Sequence, residues 1–218
     1  MSDIMVDLET LGLRPGAVIR SIGACHMDPK RMHDKKHQFD QNVTRTSQTE
    51  RAGFHVFPDT VEWWDQQSEA ARNALLVNPV HIRKALEKFH AWAEQYPEPR
   101  FFWCAGPHFD YALYAEACRL CDMKPLFEFW AVRDVRTAKD LVRMSKEDAK
   151  LAVPLSVREK LVKHHALSDC IQQTYEVLAA RERASGVSST RLVELAFFRQ
   201  VAIYCLVALV LCCTIIFR

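Results

Sequence analysis

The order in which strand-like and helix-like segments follow one another constrains this chain most strongly. Residues 3–8 are a nearly apolar run between acidic residues, and residues 18–27 alternate apolar and polar positions, so both are predicted to be strands. Residues 13–16, Leu-Arg-Pro-Gly, are typical of the turn between them. With a third strand predicted around residues 37–43, the chain begins with an antiparallel meander.

Helices and strands alternate after this meander. Apolar residues recur at helical spacing over residues 60–71 and 81–95, and the wholly apolar residues 101–105 are typical of a buried parallel strand. The later predicted elements are a helix from Phe109, a strand over 129–135, a helix over 136–144 and a last helix over about 164–183. Three early strands followed by this alternation predict an α/β domain, in which helices flank a mixed sheet.

The charge balance excludes a uniformly basic nucleic-acid coat. The 218 residues contain 29 Lys and Arg against 27 Asp and Glu, and residues 196–218 hold two Arg and no acid, so the rest of the chain is balanced. Non-specific phosphate binding depends on clustered Lys and Arg. Any polyanion must therefore bind at a local site; the basic cluster around residues 30–36 is predicted to be a solvated loop, with guidance of nucleic acid as the alternative.

Cysteine usage indicates a reducing compartment. The chain has eight Cys, and its acidic first residues lack the pattern of a secretory signal peptide, so reduced thiols in the cytosol are expected. Cys118 and Cys121 form a single CxxC inside a helical pattern, without a second pair at zinc-finger spacing. Small buried side chains are favoured over a zinc or redox site.

Three short patterns carry acidic or basic groups that suit chemistry. Asp7 and Glu9 are two apart on a predicted strand, so they project from one face and could share a divalent cation; two solvated acids are the alternative. Asp110 lies where an apolar strand passes into a helix, either at a ligand site or as a helix cap. His164 and His165 precede Asp169 by five and four residues on the predicted last helix, where a surface His–Asp pair is the alternative.

Taken in order, these three patterns resemble the DEDD superfamily of 3′-to-5′ exonucleases, in its histidine-bearing DEDDh branch. Segments 5–11, 60–68, 133–137 and 164–171 are also similar to motifs of a group of small bacterial and phage exoribonucleases in that branch. The resemblance covers about residues 3–180. It implies an RNase H-like fold and metal-dependent hydrolysis that releases nucleoside 5′-monophosphates from a 3′ end.

The resemblance also implies roles for individual residues. Asp7, Glu9, Asp110 and Asp169 would hold two Mg²⁺ or Mn²⁺ ions, and His164 would take a proton from the attacking water. The chain departs from the pattern in two places. Cys104 and Ala105 stand where relatives commonly have Gly-Asn, and His165 stands where relatives often have Asn, which leaves His165 open as the alternative base.

Substrate contacts are expected near the first carboxylates. Trp63 and Trp64 point about 100° apart on a helix, so one can pack in the core while the other stacks on a base. Thr10 and Leu11 are candidates for contact with a 2′-hydroxyl, and Arg136 for contact with a phosphate or a nearby acid. RNA is expected ahead of DNA; a 3′-to-5′ exodeoxyribonuclease and a membrane-tethered nucleic-acid-binding module without turnover are the alternatives.

The C-terminal residues predict a membrane anchor. Residues 201–217 are 17 successive residues without a charge, and about 17–23 residues at about 1.5 Å each bracket the hydrocarbon thickness of a bilayer. The expected organisation is a nuclease domain over 1–183, a linker over 184–194 and a single transmembrane helix over 195–217, with the nuclease in the cytoplasm. A core helix in a soluble cytoplasmic protein is the alternative, and a homodimer is left open.

Overall fold

One five-stranded sheet organises residues 1–186, which are the residues that this computed structural model describes. In chain order its strands are β1 (Ser2–Thr10), β2 (Ile19–His26), β3 (Gln38–Asn42), β4 (Arg100–Cys104) and β5 (Val132–Asp134). They lie in the spatial order β3-β2-β1-β4-β5. The first three strands are antiparallel, and β4 and β5 continue the sheet in parallel with β1. The predicted mixed sheet is therefore confirmed.

Helices cover both faces of this sheet. Within the described residues they are α1 (Thr46–Thr49), α2 (Pro58–Asp65), α3 (Glu69–Ala74), α4 (Ile82–Ala93), α5 (Asp110–Leu120), α6 (Val135–Leu141), α7 (Lys146–Ala152), α8 (Leu155–Arg158) and α9 (Ala166–Ala184). Short 3₁₀ helices lie at Lys35–His37 and Phe129–Ala131. Because β1 is the central strand, its alternate side chains enter two separate apolar layers.

The larger apolar layer lies between the sheet and α4 with α5. Ile82, Leu86 and Phe89 recur at helical spacing on α4 and are fully buried against the same cluster as Ile4 and Val6 of β1. A smaller layer lies under α9 on the opposite face, and it contains Met5, Cys25, Cys170 and Val177. The sheet thus places one face in a conventional core and the other under the last described helix.

The structure corrects two predicted elements. The single helix over 60–71 is divided, because the Ser68 side chain accepts a hydrogen bond from the backbone N–H of Ala71 at 3.2 Å and so begins α3. The strand over 129–135 is shortened, because residues 129–131 form a 3₁₀ turn and pairing with β4 begins only at Val132. Phe129 and Trp130 are left exposed beside this edge strand.

The cysteines of the described region are buried free thiols, as predicted. Cys25, Cys104, Cys118, Cys121 and Cys170 make no disulfide with one another. Burial raises the pKa of Cys118 to about 12, so its thiol stays protonated at neutral pH. The CxxC therefore belongs to the packing between α5 and its neighbours.

The C-terminal predictions fall largely beyond this region. Within residues 1–186, no helix has both the length and the apolar character that crossing a bilayer requires. α9 ends at Ala184 and Gly186 adopts a positive φ, so the first linker residues follow the helix directly. The rest of the linker and the predicted transmembrane helix over 195–217 lie outside the described residues.

Candidate active site

The carboxyl end of β1 supplies two acidic side chains to the face that α9 covers. Even-numbered residues of this strand enter the larger core, so Asp7 and Glu9 share the opposite face with Met5. The amide nitrogen of Gln173 on α9 donates to the Asp7 carboxylate at 2.9 Å. The pairing register with β2 shifts between Glu9 and Thr10, which ends regular pairing where a cleft opens.

The close approach of α9 to the sheet depends on Gly23. This residue pairs with Asp7 across β1 and β2, and a Cβ at Gly23 would lie 2.3 Å from backbone atoms of Ala166 and Leu167. Only a residue without a side chain admits the helix at this distance. As a result, the first turn of α9 brings Asp169 beside the two carboxylates of β1.

Asp110 enters from the opposite side of the sheet. It is the first residue of α5, it is 2% exposed, and its carboxylate accepts a hydrogen bond from the backbone N–H of Leu8 at 3.2 Å. This contact attaches the start of α5 to the strand that carries Asp7 and Glu9. Cys104, one of the two departures from the family pattern, is buried, with its Sγ 3.9 Å from the carbonyl oxygen of Arg133.

His164 is not on the last helix, contrary to the sequence prediction. His165 is the N-cap of α9, with its Nδ1 accepting from the backbone N–H of Ser168 at 3.3 Å, and the helix begins only at Ala166. His164 therefore precedes the helix and has a φ of 61°. A ligand atom of His164 and carboxylate oxygens of Glu9 and Asp169 all lie within 4.8 Å of one another.

The side chain of His165 points away from the carboxylate cluster, toward Asp40. Its Nε2 lies 3.3 Å from a carboxylate oxygen of Asp40, and hydrogen bonding to that carboxylate raises the pKa of His165. It lines a separate polar hollow together with Asp40 and Lys88. The structure thus places only His164 of the two histidines in the cleft with the carboxylates.

Most of the predicted site residues line one cleft of about 520 Å³. It is bounded by Asp7, Leu8, Glu9, Thr10, Leu13, Asp59, Thr60, Trp63, Trp64, Phe109, Arg136, His164 and Asp169. Asp110 lies behind it, bonded to Leu8. Leu11 is not part of the lining, since it is buried and both its backbone N–H and its carbonyl are hydrogen-bonded, to Val18 and Phe57. Gln173, which sequence reasoning missed, could have been found as the residue one turn after Asp169.

The carboxylates of this cluster hold protons more tightly than usual. Burial, followed by the charges of Asp110, Glu9 and Asp169, raises the pKa of Asp7 well above its ordinary value. Burial with the neighbouring acids raises the pKa of Glu9 to about 8, while burial alone raises that of Asp110 to about 7 against opposing hydrogen bonds and Arg136. Burial also raises the pKa of Asp169 to about 6. Burial thus outweighs the opposing charge of Arg136 on Asp110 and the opposing charges of His165 and Lys163 on Asp169.

The two tryptophans have different environments. Trp64 is 5% exposed, and its indole N–H donates to the carbonyl of Thr10 at 2.8 Å. Trp63 is 40% exposed and stands edge-on to the His164 ring, with centroids 4.8 Å apart. Trp64 therefore supports the end of β1, whereas Trp63 presents an aromatic surface at the cleft.

Comparisons with known proteins agree with this arrangement. The sequence model of a family described as the 3′-5′ exoribonuclease Rv2179c-like domain matches residues 2–180. The chain is similar to an exodeoxyribonuclease of Enterobacteria phage T4, with 22% identity over 213 residues, which cover 86% of this chain and 92% of that protein.

Solved structures show the same fold. The nuclease domain of 3′hExo, a DEDDh family member bound to rAMP, has a TM-score of 0.52 at 13% identity, covering 85% of this chain and 92% of that chain. Cell-death related nuclease 4 (CRN-4) has a TM-score of 0.52 at 11% identity, covering 85% of this chain and 64% of that chain. These likenesses confirm the predicted RNase H-like fold of a mixed sheet between helices.

Proposed function

This chain belongs to the 3′-5′ exoribonuclease Rv2179c-like domain family and is a DEDDh 3′-5′ exonuclease, and from that premise we propose that it releases nucleoside 5′-monophosphates from RNA 3′ ends with two divalent cations. The observation that carries the proposal is the convergence of Asp7, Glu9, Asp169 and His164 in one cleft, with Asp110 directly behind it. A nucleic-acid-binding module without turnover is set aside, because the family is enzymatic.

The carboxylate cluster suits divalent cations. Four carboxyl groups with raised pKa values are unfavourable together unless positive charge is added, and carboxylate oxygens are the ligands that Mg²⁺ and Mn²⁺ prefer. We assign the ligand role to Asp7, Glu9, Asp110 and Asp169. When bound, the cations would stabilise the charge on the attacking and leaving oxygens of an in-line displacement.

His164 suits the role of general base. Burial and the nearby charge of Lys163 lower its pKa, which favours the neutral imidazole that can accept a proton at neutral pH. Contact with the edge of Trp63 limits the positions that its ring can take. His164 would therefore accept a proton from a water held between it and the carboxylates of Glu9 and Asp169.

The bound nucleotide would lie between aromatic and backbone groups. Trp63 offers an exposed face for stacking on the terminal base, which is typically worth about 1–3 kcal/mol. Thr10 is the better placed of the two candidates for a 2′-hydroxyl contact, because Thr10 lines the cleft and Leu11 does not. The Thr10 hydroxyl donates its proton to the carbonyl of Gly12 at 2.7 Å. In a contact with a 2′-hydroxyl, the Thr10 oxygen would therefore act as the acceptor.

The preference for RNA rests on the family description, and a specific observation keeps DNA as the second candidate. The phage T4 relative is named an exodeoxyribonuclease, and the alignment with it covers most of both chains. Both activities would use the same carboxylates and the same base. The difference would lie only in contacts to the 2′-hydroxyl.

The deciding experiment is a side-by-side digestion. The full-length chain is incubated with 5′-labelled single-stranded RNA and DNA of one sequence, with Mg²⁺ or Mn²⁺, or with EDTA. We expect a ladder shortened from the 3′ end, 5′-mononucleotide products, faster loss of RNA, and no reaction in EDTA or with Asp7→Asn. Faster loss of DNA would reverse the sugar preference, and digestion in EDTA would contradict the role of metals.

We also propose that residues 195–217, in which Arg199 is the only charged residue, anchor the enzyme in a membrane with the nuclease domain in the cytoplasm, on the strength of their apolar composition alone. The expected result is that the full-length chain sediments with membranes and resists extraction by carbonate. Recovery in the supernatant without detergent would contradict the anchor and leave the nuclease proposal unaffected.

A further inference from the structure

A positively charged hollow lies beside the catalytic cleft, between the helices α6, α7, α8 and α9. This basic hollow measures about 230 Å³. The charged and polar side chains that line it are Lys139, Lys146, Lys150, Arg158, Gln172 and Glu176. It therefore gathers four cationic groups around a single carboxylate.

That carboxylate is already satisfied within the protein. Glu176 is 5% exposed and accepts hydrogen bonds from Lys139 at 2.5 Å and from Gln172 at 3.0 Å. By contrast, Lys146, Lys150 and Arg158 form no ion pair with any carboxylate of residues 1–186. Three cations held together without compensation favour an anionic ligand.

Two helices connect the basic hollow to the cleft. On α9, Asp169 and Gln173 belong to the catalytic cluster, and Gln172 and Glu176 line the hollow. The spacings of three, four and seven residues put these side chains on one face of the helix. Asp169 and Glu176 are about 10 Å apart along the helix axis, from a rise of about 1.5 Å per residue.

The second connection runs along α6, which packs against α9. Arg136 lines the cleft, has no carboxylate partner among the ion pairs of the described residues, and lowers the pKa of Asp110 through its charge. Lys139, one turn later on the same helix, lines the basic hollow. Arg136 and Lys139 thus form a line of positive charge on α6 from the cleft to the basic hollow.

We infer that the basic hollow binds backbone phosphates of a single-stranded nucleic acid upstream of the 3′-terminal nucleotide. A stacked strand advances about 3.4 Å per nucleotide, so about 10 Å corresponds to about three nucleotides. The inference rests on the proposed nuclease function and adds to it an extended binding track. If the basic hollow binds upstream phosphates, a longer strand should bind more tightly than a strand that reaches only the cleft.

The test compares two double variants of equal charge change in the full-length chain. Lys146→Gln with Lys150→Gln removes two cations of the hollow, and Lys84→Gln with Lys124→Gln removes two exposed cations that line neither the hollow nor the cleft. KM and kcat are measured with a uridine decamer and with the dinucleotide pUpU. Equilibrium binding of fluorescein-labelled decamer is measured in the Asp7→Asn background at several salt concentrations.

We expect the hollow variant to raise KM for the decamer about tenfold, with a much smaller change for the dinucleotide and a similar kcat. The slope of log K against log salt should lose about 1.4, because single-strand contacts contribute about 0.7 each. The Lys84 and Lys124 variant should match the unmodified chain. Equal KM changes for both substrates, or equal effects of both variants, would overturn the inference.

Failure of the proposed function has a different signature. If the unmodified chain hydrolyses neither oligomer but the hollow variant alone weakens decamer binding, the nuclease proposal fails and the basic hollow stands as a binding surface. If hydrolysis proceeds and the hollow variant binds the decamer as tightly as the unmodified chain, the hollow has no role in binding.

Discussion

On one face of β1, Ile4, Val6 and Leu8 pack with α4 and α5 into an apolar core, whereas on the other face Asp7 and Glu9 lie under α9 among further acids. Both faces are covered by helices, but one buries apolar side chains and the other buries acidic side chains. The side chains of the apolar face are buried against other apolar side chains of the protein, and this packing stabilises the fold. On the acidic face, burial and repulsion between neighbouring acids raise the pKa values of Asp7 and Glu9, so this face costs stability that the apolar face supplies.

The largest expected effect is on the apolar face. Phe89→Ala should lower the free energy of unfolding by about 3–5 kcal/mol, because it leaves a cavity in a fully buried position. Chemical denaturation followed by circular dichroism measures the loss, and activity per folded molecule should be retained. Phe129→Ala is the matched control at a side chain that is 78% exposed. A similar loss at both positions would remove the distinction between core and surface.

The acidic face should respond in activity instead. His164→Ala should lower kcat by about 10²–10⁴-fold, the usual contribution of a general base, with little change in stability. His165→Asn is the matched control, since that ring bonds to Asp40 outside the cleft. Single-turnover rates at saturating Mg²⁺ measure both. The opposite ranking would assign the base to His165.

The two tryptophans allow the same comparison within one helix. Trp63→Ala should raise KM by a factor that corresponds to about 1–3 kcal/mol, because a stacking surface is lost while the fold is kept. Trp64→Ala should instead lower the melting temperature, because its indole fills the core and bonds to Thr10. Steady-state kinetics and thermal melts separate the two results. A stability loss for Trp63→Ala without a change in KM would contradict the stacking role.

The smallest effect concerns pH in the absence of metal. The pKa of Glu9 rises from 4.5 to about 8 on folding, so between these values the folded chain binds a proton that the unfolded chain has released. The stability of the EDTA-treated protein should therefore fall as pH rises through this window, by at least about 1 kcal/mol, or about 2–4 °C in melting temperature. Glu9→Gln should flatten the dependence, and added Mg²⁺ should reverse it. A stability that rises over this window in EDTA would contradict the raised pKa.

The sequence allowed the acidic face to be predicted better than its surroundings. The spacing of Asp7 and Glu9 fixes one face of a strand, and the strand order predicts the mixed sheet, because both depend on local periodicity. The position of His164 could not be predicted from helical spacing, since the cap made by His165 moves the start of the helix. The start of α7, in contrast, is marked in the sequence itself by the capping box formed by Ser145 and Asp148.

Contacts between segments that are distant in the sequence were harder to predict. The bond from Gln173 to Asp7 joins residues 166 positions apart, and the basic hollow is assembled from four helices whose packing no local pattern specifies. The packing of α9 on the sheet is what brings these segments together. That packing is a property of the tertiary structure, and residue types alone do not reveal it.

Because Gly23 has no side chain, α9 packs so closely on the sheet that the spacing of the proposed catalytic acids has almost no room to change. A methyl group there would meet backbone atoms at 2.3 Å, so α9 would have to retreat by about 1 Å to restore ordinary contact. A shift of that size in reacting groups can cost about 10²-fold in rate. Gly23 does not line the cleft, yet it sets the spacing of the proposed catalytic acids, so a larger residue at this position should slow the proposed reaction.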